Sequence, residues 1–215
     1  MQHLKNNKFE ILQMQPRNTN SVIVSVDNKC VIFDPWGHFN DWLTVLQERN
    51  LTPIAIYATH GHPDHISAAP ALARHFDIPW YLHSGDFRLV GWGNGLLEYF
   101  GLPSISLDDN RPTALDIKRT EILPNLFMDI IETPGHTPGG VAYHFPDEQV
   151  IIIGDTIFQD NIGRYDLPGG DAKMLFQSIS NIYNMNLPAQ TGVIHGHGMD
   201  TNIDWLAHNN PYFKS

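Results

Sequence analysis

The sequence predicts an α+β fold in which packed β-sheets are covered by helices. Short runs rich in β-branched residues, separated by turn residues, come in bunches along the chain. Stretches with apolar residues at helical spacing lie between these bunches and after them. Strands that alternated one by one with helices would indicate a single parallel sheet, so the bunching favours sheets packed on one another.

Length and composition agree with one globular domain. The chain has 215 residues, of which 42% are hydrophobic and 17% are charged. Such a chain buries a sizeable core without a disulfide or a structural metal, so we expect a single domain over residues 1–215. The lone cysteine, Cys30, excludes a disulfide within the chain. Its apolar neighbours indicate a buried small side chain, with a catalytic or redox role as the alternative.

The charge balance argues against two classes of partner. The formal net charge is −10, whereas nucleic acid and anionic membranes are bound by basic surfaces. A local basic pocket is still compatible with this charge. No window approaches the ~20 apolar residues of a membrane span, and the N-terminal stretch lacks the apolar core of a signal peptide. We expect a cytoplasmic protein with neither nucleic acid nor membrane as partner; the oligomeric state is unknown.

The first half of the chain predicts strands with helices between them. The strands are expected at residues 9–15, 21–27, 30–34, 52–60 and 78–83. Residues 39–50 predict a helix, because Trp42, Leu43 and Leu46 fall on one face. A second helix is predicted after residue 64 by apolar residues at helical spacing, namely Ile66, Ala69, Leu72, Ala73 and Phe76.

The segment from Ser84 to Pro112 has no clean period. The stretch "FRLVGWGNGLLEYFGL" within it is partly helical in pattern and is broken by glycines. The segment is compatible with a lid over a pocket and with a long surface connection.

The second half repeats the style of the first. Strands are expected at residues 116–123, 126–134, 140–145, 149–155 and 191–198. Residues 171–185 predict a helix with Leu175, Ile179 and Ile182 in register.

The most informative segment is "THGHPDH", which places His60, His62, Asp64 and His65 between a strand and a helix. On extended backbone, His60 and His62 can point the same way, because they are two residues apart. Imidazole and carboxylate suit zinc, iron or manganese. No cysteine lies nearby, which speaks against a closed structural zinc site. The spacing therefore indicates a metal site rather than a solvated polar loop.

Three later strands end at glycine-flanked residues that can also bind metal. "TPGHTPGG" contains His136, "GDTIF" contains Asp155, and "HGHG" contains His197, with His195 two residues before it. Loops at strand ends are where a rigid scaffold places its chemistry. With the first cluster, these residues make seven candidate ligands, enough for two adjacent metals.

These four motifs, in this order, resemble the metal-binding motifs of the metallo-β-lactamase-fold superfamily. The match spans nearly the whole chain, roughly residues 22–198. The resemblance implies an αββα sandwich with the metals at one edge, between the sheets.

The resemblance also implies a role for each candidate ligand. It assigns His60, His62 and His136 to one metal, Asp64, His65 and His197 to the other, and Asp155 to a bridge between them. The cofactors implied are two divalent ions, zinc foremost, with iron and manganese also compatible. Asp34, in "IFDPWG", matches an aspartate that orients a metal ligand in the family; a turn aspartate before proline is the alternative.

Residues 161–171, "NIGRYDLPGGD", are similar to the "GR-x-D" loop of small glyoxalase II-like hydrolases and of persulfide dioxygenases. The other motifs fit the hydrolases better. The resemblance therefore implies a thioesterase of the hydroxyacylglutathione hydrolase type, acting on a small-molecule thioester such as S-lactoylglutathione. In this interpretation Arg164 and Tyr165 contact the substrate. A structural ion pair of Arg164 with Asp166 or Asp171 is the alternative.

Two departures from the family pattern leave the thiol and acyl specificity open. His195 stands where the family usually has proline before its Gly-His-Gly. The chain ends at Ser215, 18 residues beyond His197, so we do not expect the helical C-terminal domain that supplies glutathione contacts in long glyoxalase II enzymes.

The expected mechanism is attack of a metal-activated water, its pKa lowered toward ~7, on the thioester carbonyl. Asp64 and Asp155 would orient that water. A thiolate, with a conjugate-acid pKa of ~8.5, leaves without a general acid. Three alternatives stay open: an iron-dependent persulfide dioxygenase, another hydrolase of the fold such as a lactonase or β-lactamase, and a non-catalytic metal-binding module.

Overall fold

Two six-stranded sheets form the centre of the computed structural model, which describes residues 8–14, 17–107 and 111–214. In spatial order, the first sheet contains β1 (Phe9–Met14), β2 (Thr19–Val26), β3 (Lys29–Phe33), β4 (Thr52–Tyr57), β5 (Trp80–Leu82) and β6 (Thr113–Ala114). The strands of the second sheet, again in spatial order, are β12 (Thr201–Asn202), β11 (Gly192–His195), β10 (Val150–Gly154), β9 (Val141–Phe145), β8 (Leu126–Glu132) and β7 (Thr120–Leu123).

Both sheets are mixed. In the first sheet β1, β2 and β3 are antiparallel neighbours, and β3 to β6 run parallel. In the second sheet β10 and β11 are parallel and the other neighbours are antiparallel. Consequently β8, β10 and β11 all end at one edge of the second sheet, as β3 and β4 do in the first. This common direction lets the loops that follow these strands meet.

Helices cover both outer faces of the pair of sheets. They are α1 (Phe39–Glu48), α2 (Pro63–Ile66), α3 (Ala69–Phe76), a 3₁₀ helix at Ser84–Leu89, α4 (Asn94–Tyr99), α5 (Ala172–Asn184) and α6 (Ile203–Asn209). Among the described residues, no helix is both long and apolar enough to cross a membrane.

Alternation along the strands divides the core into three layers. Val22 and Val24 of β2 pack between the sheets, whereas Ile23 faces the helices of the first sheet. In β10, Ile152 points between the sheets and Ile151 packs under α5. Because successive strand residues point to opposite faces, both sheets are buried on both sides. The architecture is the αββα sandwich that the resemblance implied.

The strands and helices agree with the sequence patterns, except that one predicted helix is split in two and several short elements were not predicted. The helix expected after residue 64 is split into α2 and α3, because Pro70 has no N–H to donate to the Ile66 carbonyl. The patterns did not predict β6, β12 or α6, which are short. Residue 15 of the first expected strand and residues 108–110 of the expected lid or connection lie outside the described residues.

The prediction for Cys30 is confirmed. Its side chain is fully buried, and burial raises the pKa of its thiol to about 12. Such a thiol stays protonated and is a poor nucleophile, so Cys30 acts as a small core residue.

Replacement of Phe145 by alanine tests the inter-sheet core. Phe145 is fully buried and meets the ring of Phe9 edge-on at 4.9 Å. We expect the substitution to lower the free energy of unfolding by about 3–5 kcal/mol, measured by urea denaturation. Phe176→Ala is the matched control, because Phe176 is 45% exposed on α5, and it should cost less than about 0.5 kcal/mol. Equal effects of the two substitutions would contradict this description of the core.

Candidate metal centre

The seven candidate ligands meet at the edge where the strands of both sheets end. His60, His62, Asp64 and His65 follow β4, and His136 follows β8. Asp155 follows β10 directly, and His197 lies two residues beyond β11. Residues separated by more than 130 positions in the chain thus lie together at one edge of the fold.

His60, His62 and His136 form the first cluster. The Nε2 atoms of His60 and His136 lie 3.1 Å and 2.9 Å from Nδ1 of His62. All three side chains are buried. Three ring nitrogens therefore converge on one small volume.

The outer nitrogens of two of these rings show that lone pairs point inward. Thr59 donates its hydroxyl proton to Asp34, so its oxygen accepts from Nδ1–H of His60. Nδ1–H of His136 donates to the Arg164 carbonyl at 2.6 Å. Both Nε2 atoms then carry lone pairs aimed at Nδ1 of His62. A single proton on Nδ1 satisfies only one of them, whereas a cation between the three nitrogens satisfies all.

Asp64, His65 and His197 form the second cluster, and Asp155 lies between the two clusters. Oδ2 of Asp64 lies 3.5 Å from Nε2 of His197. Oδ1 of Asp155 lies 3.5 Å from Nε2 of His65, and its Oδ2 lies 3.5 Å from His136 and 3.6 Å from His197. Its two oxygens thus face ligands of both clusters, which is the position that a bridging carboxylate requires.

Asp34 accepts a hydrogen bond from His65, a candidate ligand of the second cluster. Its Oδ2 accepts from Nδ1 of His65 at 2.9 Å and from the Thr59 hydroxyl at 2.7 Å, and its Oδ1 accepts from the Thr59 backbone N–H at 2.6 Å. Asp34 is buried and adopts a left-handed backbone conformation, with φ of 50°. The alternative of a simple turn aspartate does not account for these bonds.

Burial and charge divide the histidines into two groups. Burial, followed by repulsion from neighbouring histidines, lowers the pKa of His60 well below its usual value and that of His62 to about 4. Burial also acts to lower the pKa of His65, but Asp155, Asp34 and Asp64 outweigh it and raise that pKa to about 9. His60 and His62 are therefore neutral near pH 7, whereas in the absence of metal His65 holds a proton.

The donor set fits divalent metals. Neutral imidazoles and carboxylates are ligands for zinc, iron and manganese. Within the described residues, the buried atoms His65 Nε2 and Asp155 Oδ1 lack a hydrogen-bond partner, and both point into the centre. Unsatisfied buried polar atoms that face one another are expected where a metal ion is to be bound.

Close approach of the last loop to Asp155 requires glycine. A Cβ on Gly196 would overlap Oδ1 of Asp155 and crowd the His65 ring. The neighbouring His195 is not a ligand, because its Nδ1 bonds to the Ile157 carbonyl and its Nε2 to the Thr201 hydroxyl. The residue that replaces the usual proline is thus a buried structural histidine.

A cavity of about 880 Å³ opens over both clusters, a volume typical of small-molecule sites. Trp92 and Leu96, from the segment between β5 and β6, form one wall. Part of the segment considered as a lid or a connection therefore lines the site. Arg164 also lines the cavity, but its guanidinium binds Asp166 through two hydrogen bonds. Tyr165, which is 44% exposed, is absent from the residues that line the described part of the cavity.

Arg17 contacts the second cluster, and nothing in the sequence spacing marks it. Its Nε donates to Oδ2 of Asp64 at 2.7 Å, and its carbonyl lies 3.3 Å from Nδ1 of His197. The residue also lines the cavity and is held in the turn between β1 and β2. A single arginine in a hairpin turn shows no pattern that a sequence can reveal.

Comparison with known proteins gives a consistent family. Residues 14–197 match the metallo-beta-lactamase superfamily. A Bacillus subtilis protein described as a probable metallo-hydrolase, YqgX, is 32% identical over 96% of this chain and 98% of its own. The hydroxyacylglutathione hydrolase GloC of Haemophilus influenzae is also 32% identical, over 96% of this chain and 98% of its own.

Two solved structures are similar to this chain in both sequence and fold. The crystal structure of the BLEG-1 B3 metallo-beta-lactamase is 35% identical, with a TM-score of 0.85 over 96% of this chain and 100% of that one. TTHA1623 in a di-iron-bound form is 31% identical, with a TM-score of 0.83 over 94% of this chain and 99% of that one.

The lowered pKa values of His60 and His62 and the raised pKa of His65 predict how metal is lost on acidification. A metal at the second cluster displaces the proton of His65, whereas His60 and His62 are already deprotonated. We expect two metals per chain at about pH 8 and, as the pH falls toward about 5, loss of the second cluster's metal first. Elemental analysis after dialysis across this range measures the change. Simultaneous loss of both metals, or a single metal at every pH, would contradict the two-cluster description.

Proposed function

Because this chain belongs to the metallo-β-lactamase superfamily and is a metallo-hydrolase of that fold, we propose that it is a dinuclear thioesterase. Its proposed substrates are small thioesters such as S-lactoylglutathione. The observation that carries the proposal is the position of Asp155, whose two oxygens face ligands of both clusters. One carboxylate between two ligand sets supports two metals that act on one reacting group.

The residues around the cavity have distinct tasks in this proposal. Two divalent metals held here would lower the pKa of a shared water toward ~7 and stabilise negative charge on the carbonyl oxygen. Asp64, which is buried, and Asp155, which is partly buried, would hold the attacking oxygen in line with the thioester carbon. Asp34 and Thr59 keep His65 and His60 in the orientation that this requires.

A thioester suits a site in which the described residues show no obvious general acid. A thiol has a pKa of ~8.5, so a thiolate leaves without first taking up a proton. An amide or a simple alcohol ester has a far more basic leaving group and needs a positioned acid. The chemistry that the site offers therefore matches a thioester better than these alternatives.

The wall of the cavity bears on the thiol part of the substrate. Arg17 and Arg164 bring positive charge to it, and Trp92, Leu96 and Phe158 bring apolar surface. We propose that the arginines bind an anionic group of the thiol and that Tyr165 contributes from the loop beside Arg164. The exposed pair of Arg164 with Asp166 is worth little and exchanges readily with a substrate carboxylate.

Two similarities support a thioesterase over a metallo-hydrolase of unspecified substrate. GloC, described as a hydroxyacylglutathione hydrolase, matches nearly the whole chain. The loop at residues 161–171 resembles that of small glyoxalase II-like hydrolases, and in this structure it borders the cavity through Asn161, Arg164 and Leu167.

Two other reactions have an observation in their favour. The di-iron form of TTHA1623 shows that a close structural neighbour holds iron, which favours an iron-dependent persulfide dioxygenase as the alternative. The likeness to the BLEG-1 B3 metallo-beta-lactamase favours β-lactam hydrolysis. The substrate cleaved and the uptake of oxygen distinguish the three reactions.

A direct assay tests the proposal. The metal-loaded protein should release free thiol from S-lactoylglutathione without oxygen uptake, followed with a thiol reagent and an oxygen electrode. Asp155→Ala should lose metal and nearly all turnover, because both clusters lose a ligand. Oxygen uptake with glutathione persulfide by iron-loaded protein, or cleavage of a cephalosporin in preference to any thioester, would reject the thioesterase proposal.

The two arginines predict different effects on anionic substrates. A charge-assisted hydrogen bond is worth about 1.5–3 kcal/mol, so Arg17→Met should raise KM for an anionic thioester about 10- to 100-fold. Arg164→Ala should raise it only a few-fold, because Asp166 engages two nitrogens of that guanidinium, whereas Asp64 engages only Nε of Arg17. Steady-state kinetics on a neutral and an anionic thioester, at equal metal content, measure the difference.

The effect of Arg17→Met on the neutral thioester shows whether Arg17 contacts the substrate. If Arg17→Met slowed the neutral and the anionic thioester equally, Arg17 would act on Asp64 and not on the substrate.

A further inference from the structure

A buried carboxylate outside the ligand set joins the two loops that carry the first cluster. Asp86 lies in the 3₁₀ helix that follows β5, and its side chain is fully buried. Its Oδ2 accepts from the Gly61 backbone N–H at 2.8 Å and from the Thr137 hydroxyl at 2.7 Å. Its Oδ1 accepts from the Gly139 backbone N–H at 2.6 Å.

These three bonds reach both sides of the three-histidine cluster. Gly61 lies between His60 and His62, and Thr137 directly follows His136. The first loop follows a strand of the first sheet, and the second follows a strand of the other. Asp86 therefore links the two sheets at the point where their ligands meet.

We propose that Asp86 is a positioning residue that fixes the separation of the two loops and thereby determines the metal affinity of the first cluster. Asp86 touches neither metal nor substrate, and acts through Gly61 and Thr137. The proposal rests on the ligand geometry alone and does not depend on the identity of the substrate.

The close approach of two glycines to Asp86 and the hydrogen bonds together define the separation of the two loops. A Cβ on Gly61 would lie 3.0 Å from Cβ of Asp86, and a Cβ on Gly139 would lie 2.9 Å from its Cγ. The contact at position 61 is tighter than most real Cβ contacts, and the contact at position 139 is shorter than real Cβ contacts, so glycine is favoured at position 61 and required at position 139. The missing side chains at positions 61 and 139 let the loops approach Asp86 closely, and the hydrogen bonds prevent them from moving away.

The chemistry of the acceptor explains why a carboxylate serves here. Three donors converge on two oxygens, and an ionised carboxylate accepts all of them. Burial acts to raise the pKa of Asp86, while the bonds from Thr137, Gly61 and Gly139 act to lower it. An amide of the same shape has only one oxygen, and its NH₂ group would face an N–H donor.

The consequence for metal binding follows from the distances. His60 and His136 each approach Nδ1 of His62 to about 3 Å, so a small shift of either loop opens the cluster. Residues that orient metal ligands typically contribute 10- to 100-fold to affinity. We expect a loss of this size at the first cluster when one of the three bonds is removed and a repulsive contact replaces it.

Asp86→Asn is the test, with metal affinity as the measurement. Competition between the protein and a chromophoric chelator for Co²⁺, together with the cobalt absorption of each cluster, reports the two affinities separately. We expect the affinity of the first cluster to fall about 10- to 100-fold and that of the second to change much less. Excess metal should restore most of kcat, because Asp86 does not act on the substrate.

Asp34→Asn is the matched control. Asp34 is equally buried and also accepts three hydrogen bonds, but it contacts His65 directly and reaches His60 only through Thr59. Its substitution should weaken the second cluster more than the first. Thr137→Val, which removes a single donor to Asp86, should reproduce a smaller part of the Asp86→Asn effect.

The outcomes are distinct. Preferential weakening of the first cluster by Asp86→Asn, opposite to the Asp34→Asn pattern, supports the proposal whether or not thioesters prove to be substrates. Equal weakening of both clusters, or a lower unfolding temperature of the metal-free protein with unchanged affinities, would show that Asp86 merely stabilises the fold. If Asp86→Asn does not fold, Thr137→Val gives the same comparison.

Discussion

Hydrogen bonds on the outer nitrogens of the histidines determine whether the centre can exist. A ring presents a lone pair to a metal only when its other nitrogen carries the proton and has a place to donate it. Thr59 accepts from His60, the Arg164 carbonyl from His136, and Asp34 from His65. These partners come from loops that follow strands of both sheets, so the packing of the two sheets is needed to orient the ligands as well as to bring them together.

Two of the partners are main-chain carbonyls of residues whose side chains line the cavity. The carbonyl of Arg164 receives His136, and the carbonyl of Arg17 lies beside His197, while both guanidinium groups remain on the cavity wall. A carbonyl is the same whatever side chain its residue carries. The structure thus orients two of the histidines through the backbone and leaves the side chains on the cavity wall free to change independently.

The fold and the ligand set were accessible from the sequence because both depend on local signals. Runs of β-branched residues in β2 and β10 identified strands, and His60, His62, Asp64 and His65 stand close enough together to form a motif. Asp86 and Arg17 were not identified, because each makes its decisive contacts with residues at least 25 positions away. Nothing in their immediate neighbours distinguishes such residues from surface charges. The short strands β6 and β12, of two residues each, are likewise defined by pairing and not by composition.

The hairpin of β1 and β2 is tied to the last loop of the centre. Gln13 and Asn20 donate side-chain hydrogen bonds to the Gly198 carbonyl, and the Asn20 backbone N–H donates to Gly196. These contacts join residues as many as 185 positions apart. During synthesis from the N-terminus, the hairpin and the "THGHPDH" loop must therefore wait for almost the whole chain before their partners emerge. His136 emerges well before His197, so the three-histidine cluster is the first to become complete. The second cluster is complete only when His197, two residues beyond β11, has emerged as well.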